Sequence, residues 1–297
     1  MAIDMYTARD PRDAYPQPPF PAQHQDGSGD PARMTPRPDH GENSYVGNHR
    51  LHGRKAIVTG ADSGIGRAVA IAFAREGADV ALSFLPDEEA AAHEVAGLAR
   101  DAGSTVALIP GDLTDEAYAD ELVSKAVERL GGLDTLALVA GTMPTIDSIE
   151  DFSTETFDRV LRTNVHSLFW LTKAALPHLL PGSAIVTTSS QQGFEPSPSL
   201  VEYAVSKAGI VNWTRAMSAQ LIERGIRVNG VAPGPVWTPL QPTSVPTQKI
   251  EHFGEQAPMK RPGQPAELAP AFVFLASQES SYVTGETIAV TGGTILH

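Results

Sequence analysis

The chain has 297 residues, 22 basic and 35 acidic, with a formal net charge of −13 and no cysteine. Such a charge repels phosphate backbones and anionic lipid, which argues against nucleic acid and membrane surfaces as partners. Without cysteine there is no disulfide framework or thiolate metal site, and no apolar run approaches the ~20 residues of a membrane span. The acidic start lacks a signal-like apolar core, so a soluble cytoplasmic protein is expected.

Residues 1–50 hold eight of the 24 prolines. Proline fixes φ and lacks an amide proton, so neither a helix nor a central strand is expected there. Two readings stand for this proline-rich extension. One is a flexible tail. The other is an irregular arm laid over the body or a neighbouring subunit, with Tyr6, Tyr15, Phe20 and Tyr45 as anchors.

From Leu51 the pattern alternates between short apolar runs and helical periods. Strands are expected at Lys55–Thr59, Asp79–Phe84, Thr105–Ile109, Asp134–Val139, Ser183–Thr188, Ile226–Ala232 and Thr287–Val290. Helices are expected near Ile65–Glu76, Pro86–Ala102, Asp115–Leu130, Thr154–Leu180, Tyr203–Arg224 and Ala266–Ala276. The strands are apolar on both faces, as in a sheet covered by helices on both sides. Residues 51–297 therefore read as one doubly wound, Rossmann-type α/β domain with a mainly parallel seven-stranded sheet. Ligands of such sheets bind beyond the carboxyl ends of the strands.

The first strand leads into Thr59-Gly60-Ala61-Asp62-Ser63-Gly64-Ile65-Gly66. Glycines between a strand and a helix let backbone amides approach a pyrophosphate at the helix N-terminus. Later, Tyr203 and Lys207 stand four residues apart, on one helix face. A cation beside a phenol stabilises phenolate, and a tuned tyrosine can exchange a proton with a carbonyl oxygen. Ser189 and Ser190 end the fifth strand. Asn164 lies in a helix close to Val165, Leu168 and Phe169, which makes a buried amide plausible.

This ordered set resembles the short-chain dehydrogenase/reductase superfamily over about residue 51 to the C-terminus. Leu136–Gly141, the glycine turn, the Ala232–Gln241 segment, Pro258–Pro270 and Leu275–Glu286, with the proline-rich extension, are similar to its bacterial YghA-like oxidoreductase branch. The resemblance implies that Tyr203 is the general acid of reduction and the base of oxidation. It implies that Lys207 lowers the tyrosine pKa and holds the nicotinamide ribose, that Ser190 binds the substrate oxygen, and that Asn164 holds a relay water. The implied cofactor site comprises Gly60, Asp62, Ser63, Gly64, Ile65, Gly66, Asp112, Leu113, Ala140, Gly141, Tyr203, Lys207, Pro233, Gly234, Val236 and Thr238. The cofactor is NAD(P)(H). Its form stays open, because Ser83-Phe84-Leu85 ends the second strand with neither an acid nor a base. Asp62 disfavours a 2′-phosphate if it lies near the ribose, and Arg67 can offset it.

In this family Asn-Asn-Ala-Gly usually follows the fourth strand. Leu138-Val139 replaces the asparagines, which puts local strand stability in doubt. Met143, Phe194, Pro196 and Trp237 are expected as apolar pocket walls, with Gln191 and Gln192 as hydrogen-bonding groups. A lid is expected over Pro235–Met259. The implied substrate is a small aldehyde, ketone or matching alcohol, and no metal is expected. Val160, Leu161, Leu168, Phe169, Trp170 and Leu171 exceed one helical stripe, and family members pair these helices in a homotetramer. A dinucleotide-binding sensor or stress-related interaction protein with little turnover is the alternative. An epimerase or dehydratase on the same scaffold is a third reading.

Overall fold

The computed structural model describes residues 4–297. Its apolar runs form seven strands, β1 (Lys55–Thr59), β2 (Asp79–Phe84), β3 (Val106–Pro110), β4 (Thr135–Leu138), β5 (Ala184–Thr188), β6 (Arg227–Pro233) and β7 (Thr287–Val290). They pair in the order β3-β2-β1-β4-β5-β6-β7. All pairings are parallel. The order reverses between β1 and β4, and that crevice is where doubly wound sheets take ligands.

The helices are α1 (Gly64–Arg75), α2 (Glu89–Asp101), α3 (Glu116–Leu130), α4 (Thr154–Leu161), α5 (Ser167–Ala175), α6 (Val201–Leu221), α7 (Leu240–Ser244), α8 (Thr247–Ile250) and α9 (Pro265–Ala276). One core packs α1, α2 and α9 on one sheet face, and the other packs α3, α5 and α6 opposite. Ala68, Ala70, Ala72 and Ala74 are all buried, so α1 lies close to both the sheet and α9. Among the described residues, no helix is long and apolar enough to cross a membrane.

Two helices differ from expectation. The stretch expected as one helix over Thr154–Leu180 is α4, a π turn at Arg162–His166, and α5. A π turn adds a residue to the helical repeat and re-aims side chains, a feature of functional sites. The helix expected from Tyr203 begins two residues earlier, so Tyr203 lies within its first turn.

The arm reading describes residues 4–50 better than the tail. Phe20 packs on Trp237 with ring centroids 4.5 Å apart. Met34 and Ile250 complete that buried cluster. The Trp237 indole donates to Pro36 O at 2.8 Å, and the Phe20 amide to Glu251 O at 2.9 Å. Glu76, fully buried at the end of α1, makes a second tie. It accepts from the Tyr45 hydroxyl at 2.6 Å, the Asn48 amide at 2.8 Å and the Arg50 guanidinium at 2.7 Å. Phe20 and Tyr45 are thus anchors. Tyr15 is half-buried and donates to Asp39, while Tyr6 is exposed.

The apolar surplus expected to face another subunit is mostly internal. Val160, Leu168, Trp170 and Leu171 are buried within this chain, and Phe169 is exposed.

Candidate active site

The carboxyl ends of β1, β4, β5 and β6 open into one cleft of about 910 Å³. All sixteen residues expected to hold a dinucleotide line it, together with Ser190. The turn from β1 to α1 makes one end. Gly60 has φ +62°, and a Cβ on Gly66 would sit 1.9 Å from Gly60 O. Neither position admits a side chain without distortion, so the turn stays tight and bare enough for a phosphate to approach its amides.

Thr59 fastens this turn to β4. Its hydroxyl oxygen accepts from the Val139 amide at 2.9 Å and the Ala140 amide at 3.1 Å. Thr59, the first residue of the glycine motif, thus ties down the stretch after Leu138, where strand stability was in doubt.

The other end gathers the expected catalytic side chains. Ser190 follows β5, and its hydroxyl oxygen accepts from the Gln192 amide at 3.1 Å. Lys207 is buried and donates to Thr188 O at 2.8 Å. Its Nζ lies 5.3 Å from the Tyr203 ring centroid. Burial pushes the Tyr203 phenol up to about 12, opposed by the Ser190 hydroxyl. Burial pushes the Lys207 ammonium down to about 8.

Asn164 does not line the cleft. It lies behind the cleft, fully buried in the π turn. Its Oδ1 accepts from the Thr142 amide at 2.9 Å, and its Nδ2 donates to Thr142 O and Ser206 Oγ, each at 3.0 Å. Both Asn164 Oδ1 and Lys207 Nζ come within 3.4 Å of where a Gly141 Cβ would stand. The amide and the ammonium therefore converge behind Gly141.

Several expected neighbours are elsewhere. Met143, Phe194, Pro196 and Trp237 do not form cleft walls, and Trp237 is fully buried beneath the arm. Pro144, Val160, Val236 and Leu240 supply apolar wall instead. Gln192 Oε1 accepts from the Ser197 amide at 2.6 Å, which holds its loop. Arg67 turns into the body, where it meets Glu42 and Glu94, each at 3.2 Å. Its side chain does not line the cleft, although its charge still favours the ionised form of Asp62.

Sequence reading did not single out four residues that line the cleft near the end of β2. Gly27 and Ser28 of the arm line the cleft there, as do Asp87 and Glu88. Glu88 lies three residues beyond Leu85, in a 3₁₀ turn, and its carboxylate folds back to accept from the Leu85 amide at 3.0 Å. Burial and the neighbouring Asp62 charge push Glu88 up to about 7, while the Leu85 amide and the Ser28 hydroxyl oppose them. Asp62 is also raised by burial, against the Ser63 hydroxyl and its own amide. Ser83 is engaged with Tyr118: the two hydroxyls are 3.0 Å apart, and Tyr118 donates to Ile109 O at 2.6 Å.

Comparison with known proteins follows this geometry. A family model described as Enoyl-(Acyl carrier protein) reductase matches residues 60–294. The chain is 54% identical to the uncharacterized oxidoreductase YghA of Escherichia coli, over 96% of this chain and 97% of that one. It is 40% identical to NADPH-dependent aldehyde reductase 1, chloroplastic, of Arabidopsis thaliana, over 89% of this chain and 94% of that one. A short-chain dehydrogenase from Burkholderia cenocepacia, crystallised with NADP, superposes with a TM-score of 0.77 at 30% identity. That match covers 82% of this chain and 98% of that one.

Proposed function

The chain belongs to the short-chain dehydrogenase/reductase superfamily, and we propose that it transfers a hydride between a nicotinamide dinucleotide and a small aldehyde or ketone, or the matching alcohol. Residues 1–50 are the extension of this enzyme and residues 51–297 its catalytic domain. One observation carries the reading: Ser190, Tyr203 and Lys207 meet at one end of a cleft whose other end is a bare glycine turn. That cleft fits a dinucleotide. Its turn admits no Cβ at Gly66, and Pro233, Gly234, Val236 and Thr238 line the cleft, with Thr238 against Gly64 of the turn.

When bound, the nicotinamide supplies a hydride to the carbonyl carbon. The chain's own residues manage the oxygen and its proton. Ser190 donates a hydrogen bond to the carbonyl oxygen and stabilises its developing charge. Tyr203 gives its phenolic proton to that oxygen, and in oxidation the phenolate takes it back. A phenol held at about 12 is a poor base, so the Lys207 charge has to stabilise the phenolate. Lys207 also binds the nicotinamide ribose. Asn164 positions the water that relays a proton to Lys207, and its bonds to Thr142 and Ser206 fix its orientation. The apolar walls suit a small carbonyl compound with few polar groups.

The aldehyde reductase among its relatives supports this substrate class. Assembly is a homotetramer, for which Phe169 and Val205 offer exposed apolar surface on α5 and α6.

The test is consumption of NADH and NADPH at 340 nm against a panel of small aldehydes and ketones, with Tyr203→Phe alongside. Wild type is expected to turn over. The variant is expected to lose about 10²–10⁴-fold in kcat with unchanged dinucleotide affinity. Full turnover by the variant removes the assigned mechanism.

A further inference from the structure

We propose that Glu88 and Asp62, with Ser28 of the arm laid against them, select the dinucleotide whose adenosine ribose carries a free 2′-hydroxyl. The protein then takes NAD(H) in preference to NADP(H). This rests on the oxidoreductase reading above and names the form of its cofactor.

Position is the first argument. Doubly wound sheets hold the ribose hydroxyls at the carboxyl end of β2. Here the Ala61 amide donates to Ser83 O at 3.1 Å, which fixes the glycine turn, and Asp62 with it, to that strand end. Glu88 reaches the same place from the other side by folding back onto the Leu85 amide. Asp62 is only 4% exposed and lines the cleft.

The arm completes the constellation. Gln25 is buried, and its side chain closes a short loop: Oε1 accepts from the Asp30 amide at 2.7 Å, and Nε2 donates to Asp30 O at 3.1 Å. The Gln25 amide donates to Pro242 O at 3.0 Å, which fastens the loop to the lid. The tip, Gly27-Ser28, is thereby presented to the cleft, where Ser28 stands beside Glu88 and its hydroxyl favours the carboxylate form. The adenosine end is therefore built partly by the extension and partly by the catalytic domain.

Charge is the last argument. Asp62, Asp87, Glu88 and Asp112 line the cleft, against the cations Arg159 and Lys207. Lys207 belongs to the catalytic end, and Arg159 stands on α4. Arg67, the nearest base in sequence to the turn, is held by Glu42 and Glu94. A ribose 2′-hydroxyl is a donor that a carboxylate accepts. A 2′-phosphate brings only acceptor oxygens and negative charge to an acidic pair, so the pair rejects it.

Binding to the full-length protein tests this without turnover. Dissociation constants for NADH and NADPH are read from nucleotide fluorescence, with 5′-ADP and 2′,5′-ADP as competing probes. Wild type is expected to bind NADH about tenfold or more tighter than NADPH, and 5′-ADP tighter than 2′,5′-ADP. In the Asp62→Asn, Glu88→Gln double variant the preference is expected to collapse, mainly through tighter NADPH. Glu88→Gln keeps a carbonyl oxygen for the Leu85 amide, and the thermal midpoint checks its fold. Ser28→Ala is expected to weaken NADH alone. Equal or tighter NADPH binding by wild type overturns the proposal, as does an unchanged ratio in a folded double variant. Failure of both NADH and NADPH to bind overturns the oxidoreductase reading itself, and this inference with it.

Discussion

Replacing Lys207 with methionine removes a buried charge while keeping a side chain of similar length. Lys207 is 3% exposed, and burial lowers its pKa from 10.5 to about 8. At ~1.4 kcal/mol per pKa unit, the charged form carries about 3 kcal/mol of desolvation. Losing the bond to Thr188 O costs about 1 kcal/mol, because cleft water can reach that carbonyl. The variant is therefore expected to be about 2 kcal/mol more stable at pH 7, with a midpoint raised by about 3 °C. Activity should fall with the gain, since nothing then stabilises the phenolate. The pH dependence follows from the direction of the shift. Below about 8, lysine is charged in both states and methionine keeps its full advantage. Between about 8 and 10.5, native Lys207 loses its proton while the unfolded chain keeps it. The unfolded state then binds more protons, so wild type gains stability as pH rises. Near pH 9.5 the gap is expected to close by about 2 kcal/mol. Differential scanning fluorimetry of the apo proteins at both pH values measures this. A folded variant less stable than wild type at pH 7, or a gap that ignores pH, would refute the reasoning.

Two further outcomes are expected. Deleting residues 1–36 strips Phe20 and Met34 from Trp237, which is fully buried in the intact chain. Tryptophan emission should shift to the red and the midpoint should fall, since each such side chain contributes about 1.5–3 kcal/mol by burial. Unchanged emission would mean that the arm does not cover Trp237 in solution. Light scattering after size exclusion should give the mass of four chains, and a stable monomer would remove the tetramer.

The layered architecture was legible because strands apolar on both faces and strict alternation admit few other folds. Tyr203, Lys207 and Ser190 were legible because they follow strand ends, where the sheet delivers its ligand. Asn164 was legible as a buried amide, but its π turn was not. Within that turn the Asn164 side chain bonds the Thr142 backbone and Ser206, neither of them near it in sequence. The pocket walls were misjudged for a similar reason. Trp237 looks like a substrate wall until the arm is laid over it, and 201 residues separate it from Pro36. Glu88 was not legible because it lies beyond the end of β2, and only a short turn returns its carboxylate to the Leu85 amide.

The clasp between the arm and residues 237–253 also orders events during synthesis. Residues 20–36 are made about 200 residues before the partners they pack against. Until those partners emerge, Phe20 and Met34 have nothing to pack against, and the proline-rich stretch cannot hide them in local structure. The sheet from β1 to β6 is therefore synthesised beside an undocked arm, and the clasp closes only after β6 has been made.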